Sequence, residues 1–388
     1  MNPSPLESVR ASEYGDPAEA VYLDAASFGL LPRRTRQAAR RVQEARSDPR
    51  GLGDFDIVGE MARARAAAAR LVACEPEAIA LAPNTSYGIN LAARLVASGP
   101  PGTIVLSEGE FPANVHPWLA LESEGFRVER VPTGLLGRPN ERGLREALDG
   151  PDVRAFALSV VQFSTGVLAD VVELGEICRS RGILYCLDAI QSLGVIPMDV
   201  DAAEVDVLAS GAQKWLCSPW GSGFTYIRPE LHGRFDPPMV SWLSKVDSTD
   251  FDHLLRYRRD FHPDGRKFEL GTLGMQDHAA MARSLELILE IGVERIRRHV
   301  LEILEPLVRW VGDTRGASAV TPPSEEKRGG IFAFRVPGAE SVHRDLTEAG
   351  FTVALREGSL RVAPHFYNTE DEIVRLVEHL AGACAPGR

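Results

Sequence analysis

The feature that most constrains this chain is an alternation, over roughly its first two thirds, of short apolar runs with segments of helical period. Strand-length runs occupy 103–106, 154–161, 183–187, 205–209 and 223–227, and helix-period stretches lie at 58–73, 88–97, 114–124, 141–149 and 171–181. A strand that is apolar throughout needs cover on both faces, and helices in the crossovers supply it. The pattern therefore predicts an α/β fold with a mostly parallel sheet. Asp170 and Gly182 bracket the 171–181 helix. The first is an acceptor for free N–H groups, the second a residue that tolerates left-handed backbone.

From about 275 the pattern changes. Two long helical segments, 275–291 and 293–313, lead to a strand (330–336), a helix (339–349), a strand (351–355) and a last helix (369–382). The expected organisation is an N-terminal segment over 1–20, a large domain over 21–274 and a smaller α+β C-terminal domain over 275–388. The stretch 233–267 carries three prolines, many charges and little periodicity. Loops that long are usually functional or mobile. Within it, 240–266 offers Trp242, Arg256, Tyr257, Arg258 and His262 as a substrate-facing lid, with a solvated charged loop as the alternative.

Composition narrows the class. At 388 residues, 44% hydrophobic and 25% charged, the chain is ordinary globular material, and a net charge of −11 disfavours nucleic acid or an anionic membrane as partner. No apolar run reaches the roughly 18 residues of a membrane span, and the N-terminus lacks a signal-peptide pattern. Five scattered cysteines without a C-x-x-C pair indicate neither a disulfide framework nor a metal site. A cytoplasmic protein is expected.

Three groups carry chemistry. Lys214 follows an apolar strand and precedes Trp215, Leu216 and a Pro/Gly-rich turn. Apolar surroundings disfavour its ammonium, so the amine becomes a nucleophile toward an aldehyde, as a Schiff-base lysine must be. Asp188 ends the apolar strand upstream, where a parallel sheet binds ligands. There a carboxylate can keep the ring nitrogen of pyridoxal phosphate protonated, although Asp also serves as a helix N-cap. Gln191 could then reach the phenolic oxygen of that cofactor. Thr85 and Ser86 bring hydroxyls and N–H groups to a helix start, a natural anion site, and Ser210 and Gln213 are further phosphate donors beside the lysine.

These segments, in order, resemble the class V aminotransferase group of fold-type I pyridoxal-phosphate enzymes, which includes cysteine desulfurases and isopenicillin N epimerases. The resemblance runs from Tyr22–Ser27 through Asn84–Ser86, Glu110–Trp118, Asp188–Gln191, Gln213–Leu216 and Phe268–Thr272 to Arg361–Thr369. It implies that Lys214 holds the cofactor and moves the α-proton, with Asp188 on the pyridine nitrogen. Phe111 stands where the group stacks an aromatic ring, often histidine, on the cofactor. Gln162 matches a position reaching the cofactor oxygen or the substrate carboxylate. Arg361 matches the carboxylate-gripping arginine, and Ala26 and Ser27 fall at its substrate site. Thr272 matches a residue that reaches the phosphate of a neighbouring subunit, which implies a homodimer with shared sites and an amino-acid substrate.

The departures matter too. Desulfurases carry a nucleophilic cysteine shortly before the arginine, and 351–361 here contains none. Cys217 lies three residues past the lysine and is read as a buried structural thiol, with Ser159 and Tyr226 as core or edge groups. Among the reactions open to such a site, β-elimination of C–S lyase type is placed ahead of epimerisation, transamination and decarboxylating or oxidative outcomes. A non-catalytic binding protein on the same fold is the alternative from another class.

Overall fold

The computed structural model describes residues 5–15, 20–51 and 56–383. Seven strands form the central sheet: β1 (Ile79–Ala82), β2 (Thr103–Ser107), β3 (Arg127–Val131), β4 (Val153–Ser159), β5 (Leu184–Asp188), β6 (Val207–Gly211) and β7 (Gly223–Ile227). Their order is β1-β7-β6-β5-β4-β2-β3. The five strands from β6 to β3 run parallel, and β7 is antiparallel to both β6 and β1. Every residue of β2, β6 and β7 is buried, which is why these strands read as continuous apolar runs. The mostly parallel α/β sheet expected from the alternation is what forms.

A second, antiparallel sheet is built from β8 (Ser318–Ala319), β9 (Phe332–Arg335), β10 (Ala354–Arg356) and β11 (Ser359–Val362), in the order β10-β11-β9-β8. The N-terminal chain is stitched to this region. Val21–Tyr22 pairs in parallel with Phe351–Thr352, and Asp24 bridges Ala363. That stitching carries Ala26 and Ser27 toward the ends of the central strands. Helix Met275–Ile291 packs against helices Arg33–Ser47 and Ile57–Leu71. The second of these presents buried Ala64, Ala67 and Ala68, small enough for close helix approach.

Several elements depart from expectation. β1 and β3 were not anticipated: β1 has four residues, and β3 (Arg-Val-Glu-Arg-Val) is an edge strand whose charges suit an exposed border. The expected helix 114–124 is instead a chain of short turns, Pro112–Asn114, His116–Leu119 and Ala120–Glu124, interrupted by Pro112 and Pro117. The expected strand 351–355 splits between two sheets. Asp170 does cap its helix, accepting from the Glu173 N–H at 3.2 Å, and Gly182 closes it at φ 68°. Parts of the 1–20 segment, and Cys384, lie outside the described residues. Among the described residues, no helix is long and apolar enough to cross a membrane.

Candidate active site

The carboxyl ends of β4, β5 and β6 meet the N-terminal segment and β11 around a cavity of about 320 Å³. Such ends are where open parallel sheets bind ligands. Lys214 lies just past β6 and is held by its neighbours rather than by its own charge. Trp215 and Leu216 are buried, and the Trp215 indole N–H donates to Gln191 Oε1 at 2.8 Å. The Trp215 carbonyl receives His365 Nε2 at 2.8 Å. On the other side, the Gly29 N–H donates to the Gln213 carbonyl at 2.9 Å. A side chain at Gly29 would overlap the Lys214 carbonyl oxygen, so only glycine lets the N-terminal segment lie this close.

Asp188 ends β5, accepts from the Ile190 N–H at 3.0 Å and is 2% exposed. Burial pushes its carboxyl up to about 6, while the Ile190 N–H and Lys214 oppose that shift. Burial also pushes the Lys214 ammonium down to about 8, against the pull of Asp188. The Lys214 Nζ stands 5.5 Å from the Phe111 ring centroid, and Phe111 meets Phe163 edge-on at 5.3 Å.

Opposite these groups, the helix Thr85–Ala97 begins at the cavity, capped by Asn84, whose side chain accepts from the Tyr87 N–H at 2.9 Å. The Thr85 hydroxyl accepts from the Gly211 N–H at 2.8 Å. A side chain at Gly88 would collide with Ala209 and Thr225, so this glycine lets the helix start sit directly on β6 and β7. Arg361, on β11, is 2% exposed. One terminal nitrogen donates to the Phe163 carbonyl at 2.9 Å, and the other reaches Asp24 at 3.1 Å and Ser27 Oγ at 2.9 Å. Its Nε is buried without any acceptor.

Of the residues singled out beforehand, Ala26, Ser27, Thr85, Ser86, Phe111, Asp188, Gln191, Gln213, Lys214 and Arg361 border this cavity. Three do not. Gln162 is buried with its amide oxygen taken by the Ser164 and Thr165 N–H groups (2.9 and 2.8 Å) and its amide nitrogen on the Gly109 carbonyl, so it organises the adjacent turn. Ser210 is buried and donates to the Gly211 carbonyl at 2.9 Å. Thr272 is exposed on this chain. The amide of Gln191 is also largely committed, to Trp215 and to the Ala26 carbonyl (3.0 Å). No residue of 240–266 borders the cavity; within one chain part of the segment shapes a separate hollow of about 200 Å³.

Sequence reasoning missed three groups. Asp24 pairs with Arg361 across more than three hundred residues of chain, a juxtaposition that local pattern does not encode. Glu110 is buried and accepts from the Ser159 N–H (2.9 Å), the Ser159 hydroxyl and Asn114 (3.0 Å); burial pushes it up to about 7. Arg356 borders the cavity from β10. Cys217 is buried, and desolvation pushes its thiol up to about 12, which disfavours the nucleophilic thiolate.

A profile of the aminotransferase class-V family matches residues 21–376. The chain belongs to the class V aminotransferase family. Its curated relatives include isopenicillin N epimerases from Streptomyces clavuligerus (30% identical, covering 96% of this chain and 97% of the relative) and Amycolatopsis lactamdurans (30%, covering 94% and 95%). A probable cysteine desulfurase of Methanothermobacter thermautotrophicus is 28% identical over 93% of this chain and 94% of its own. Among solved structures, the apo cysteine desulfurase from Thermococcus onnurineus NA1 superposes with a TM-score of 0.85 at 22% identity, covering 97% of this chain and 98% of that one. A complex of a cystine C–S lyase with its product cysteine persulfide gives 0.82 at 22%, covering 94% and 98%. These two likenesses establish the fold-type I architecture. As a class V aminotransferase-family protein the chain is an enzyme, and its cofactor is pyridoxal phosphate. The donor set here fits that cofactor: an amine held near neutrality, a buried carboxylate at a strand end, a helix start with a hydroxyl, and an aromatic ring beside the amine.

Proposed function

We propose that this enzyme removes the α-proton of an amino acid and expels a sulfur-linked β-substituent, a C–S lyase-type elimination that uses no cysteine persulfide. The cofactor would be held by Lys214 through its amine, by Asp188 at the ring nitrogen, by Thr85, Ser86 and Gln213 at the phosphate and by Phe111 against the ring. Gln191 retains one amide N–H for a ring oxygen. When bound, pyridoxal phosphate supplies an aldehyde that captures the substrate amine and an electron-withdrawing ring that acidifies the α-C–H bond.

The chain's own groups do the rest. Arg361, preset by Asp24, Ser27 and the Phe163 carbonyl, borders the cavity and would take the substrate α-carboxylate on its guanidinium, so the α-carbon is oriented before any proton moves. Lys214, whose ammonium is disfavoured by burial, takes the α-proton at Nζ and returns it to the leaving sulfur, so that one group serves as base and then acid.

The observation that carries the choice of elimination is the asymmetry of the cavity. Lys214 faces a phenyl ring at Phe111, a group that cannot exchange a proton. Inverting a centre with two groups requires a donor on each face, whereas elimination can proceed with one. Among the described residues no cysteine borders the cavity, which supports a route without a persulfide. The second reading, epimerisation, is supported by the two epimerase relatives matched over nearly the whole chain. The test is to incubate the yellow, cofactor-loaded enzyme with S-substituted cysteines in deuterium oxide. Pyruvate and ammonia in equal amounts support elimination. Deuterium at the α-carbon of recovered D- and L-substrate, without pyruvate, transfers the assignment to epimerisation. Lys214→Ala should lose the visible absorbance band and all turnover while keeping the far-UV spectrum; wild-type turnover in that variant would overturn the central assignment.

We also infer a homodimer. The segment 240–257 exposes Val240, Trp242, Phe251, Leu254, Leu255 and Tyr257, six large apolar or aromatic side chains within eighteen residues, the kind of concentration that marks an interaction surface. Thr272, exposed here, is then available to a second chain.

A further inference from the structure

The face of the second sheet that presents Arg361 also presents two more arginines. Residues directly opposed across antiparallel strands point to the same face, as do residues two apart along one strand. Arg361 is opposed by Ala333 on β9 and Ala354 on β10, two small side chains that leave its guanidinium room. Two residues back along β11 stands Ser359, opposed by Arg356 on β10 and touched on the other side by Arg335 of β9, whose Nε donates to Ser359 Oγ at 3.3 Å. The result is one row of Arg356, Ser359 and Arg335 lying about 7 Å along the strand from the row that holds Arg361.

Neither outer arginine is neutralised. Arg356 makes a single hydrogen bond, to its neighbour's carbonyl at 2.9 Å, and among the described residues neither it nor Arg335 pairs with a carboxylate. Glu357, at the tip of the β10–β11 hairpin with φ 48° and followed by Gly358 at 70°, forms no ion pair with either. That two-residue turn with both φ positive holds Arg356 on a rigid hairpin. Arg356 borders the Lys214 cavity, and Arg335 borders an adjoining cavity of about 490 Å³ with Thr133, Ser164, Thr165 and the carboxylates Glu110 and Glu357, neither of which pairs with it. Phe163, whose carbonyl fixes Arg361, lines both. The positive charge of Arg356 is close enough to lower both Lys214 and Arg361, a repulsion that an anion between them would relieve.

We infer that Arg356 and Arg335 form a second anion subsite, so that the substrate is an α-amino acid whose side chain ends in a carboxylate or comparable anionic group. Its α-carboxylate occupies Arg361, its side chain passes Phe163, and its distal anion spans the outer arginines. This rests on the assignment of Arg361 to the α-carboxylate made above, and it is independent of which bond is broken after proton removal. The guanidinium plane suits a carboxylate, and two such donors flanking a serine hydroxyl make the preference directional.

The experiment has a binding arm and a turnover arm. Cofactor-loaded enzyme is titrated calorimetrically with adipate and with hexanoate, which share a chain length but differ in the second carboxylate. S-(2-carboxyethyl)cysteine, S-propylcysteine and S-(2-aminoethyl)cysteine are compared as substrates. Adipate should bind on the order of tenfold more tightly than hexanoate. Arg356→Ala with Arg335→Ala should erase that difference, and Arg356→Glu with Arg335→Glu should turn the substrate preference toward the aminoethyl compound, a gain that damage to the fold would not produce. Equal binding of adipate and hexanoate by the unaltered enzyme, or an adipate preference that survives the double alanine substitution, overturns the inference. If no S-substituted cysteine releases pyruvate while the adipate preference behaves as stated, elimination is lost and the anionic subsite stands.

Discussion

At the scale of single residues, the site works by desolvation. Lys214 is brought down to about 8 because its ammonium is buried, and Asp188 only partly restores it. The amine must be neutral to attack an aldehyde, so cofactor uptake by apoprotein should accelerate with rising pH and level off above about 8. A lysine of ordinary value would keep accelerating to about 10. Asp188→Asn removes a charge that holds the lysine up, so the midpoint of that profile should move to lower pH. Stopped-flow absorbance during reconstitution measures it, and a midpoint that stays put or rises in Asp188→Asn would contradict the coupling. Lys214 and Asp188 were legible beforehand, because a titratable group beside an apolar strand is conspicuous in a sequence, whereas Arg361 was singled out only by its match to the family pattern. Asp24 and Glu110 were not, since the partners that bury them, Arg361 and Ser159, come from segments distant in the chain.

At the scale of elements, close backbone approach positions the chemistry. Gly29 meets the Lys214 carbonyl and Gly88 seats a helix start on β6 and β7. Gly29→Ala should therefore shift the lysine segment or the N-terminal strand, at a cost of about 1–3 kcal/mol in stability. Cofactor content in the purified variant should fall, with secondary structure retained by circular dichroism. Full loading and unchanged thermal stability would show that the approach is not needed. The long helices from 275 and five strands of the central sheet were foreseen because their patterns are strong. β11 was not, being four residues long with a charged residue inside, although that residue is Arg361. An arginine in a strand reads as an exposed side chain; here Asp24, Ser27 and a carbonyl satisfy it, and those partners come from elsewhere in the chain.

At the scale of the whole molecule, the segment 240–266 changes meaning. As a string of charges and aromatics it suggested a lid, yet it lies away from its own chain's cavity and exposes Leu255 at 81% and Tyr257 at 84%. Covering those side chains against a second copy would bury apolar surface worth about 25 cal/mol per Å². Light scattering should accordingly give a dimer mass, and Leu255→Asp with Tyr257→Asp should shift the equilibrium toward monomer and lower activity with it. A monomeric, fully active wild-type enzyme would remove the dimer from the description.

The sequence by itself determined the mostly parallel sheet and the long helices from 275, and it singled out Lys214 and Asp188, because each follows from local period or from a side chain whose surroundings are its own neighbours. Tertiary structure decided what depends on segments distant in the chain. It set the pairing of Asp24 with Arg361, committed Gln162 to the Ser164–Thr165 turn, left 240–266 outside the lining of the cavity, and aligned Arg356 and Arg335 beside Arg361 on one face. Strand register and sheet order create these contacts, and neither is encoded in any short stretch of residues.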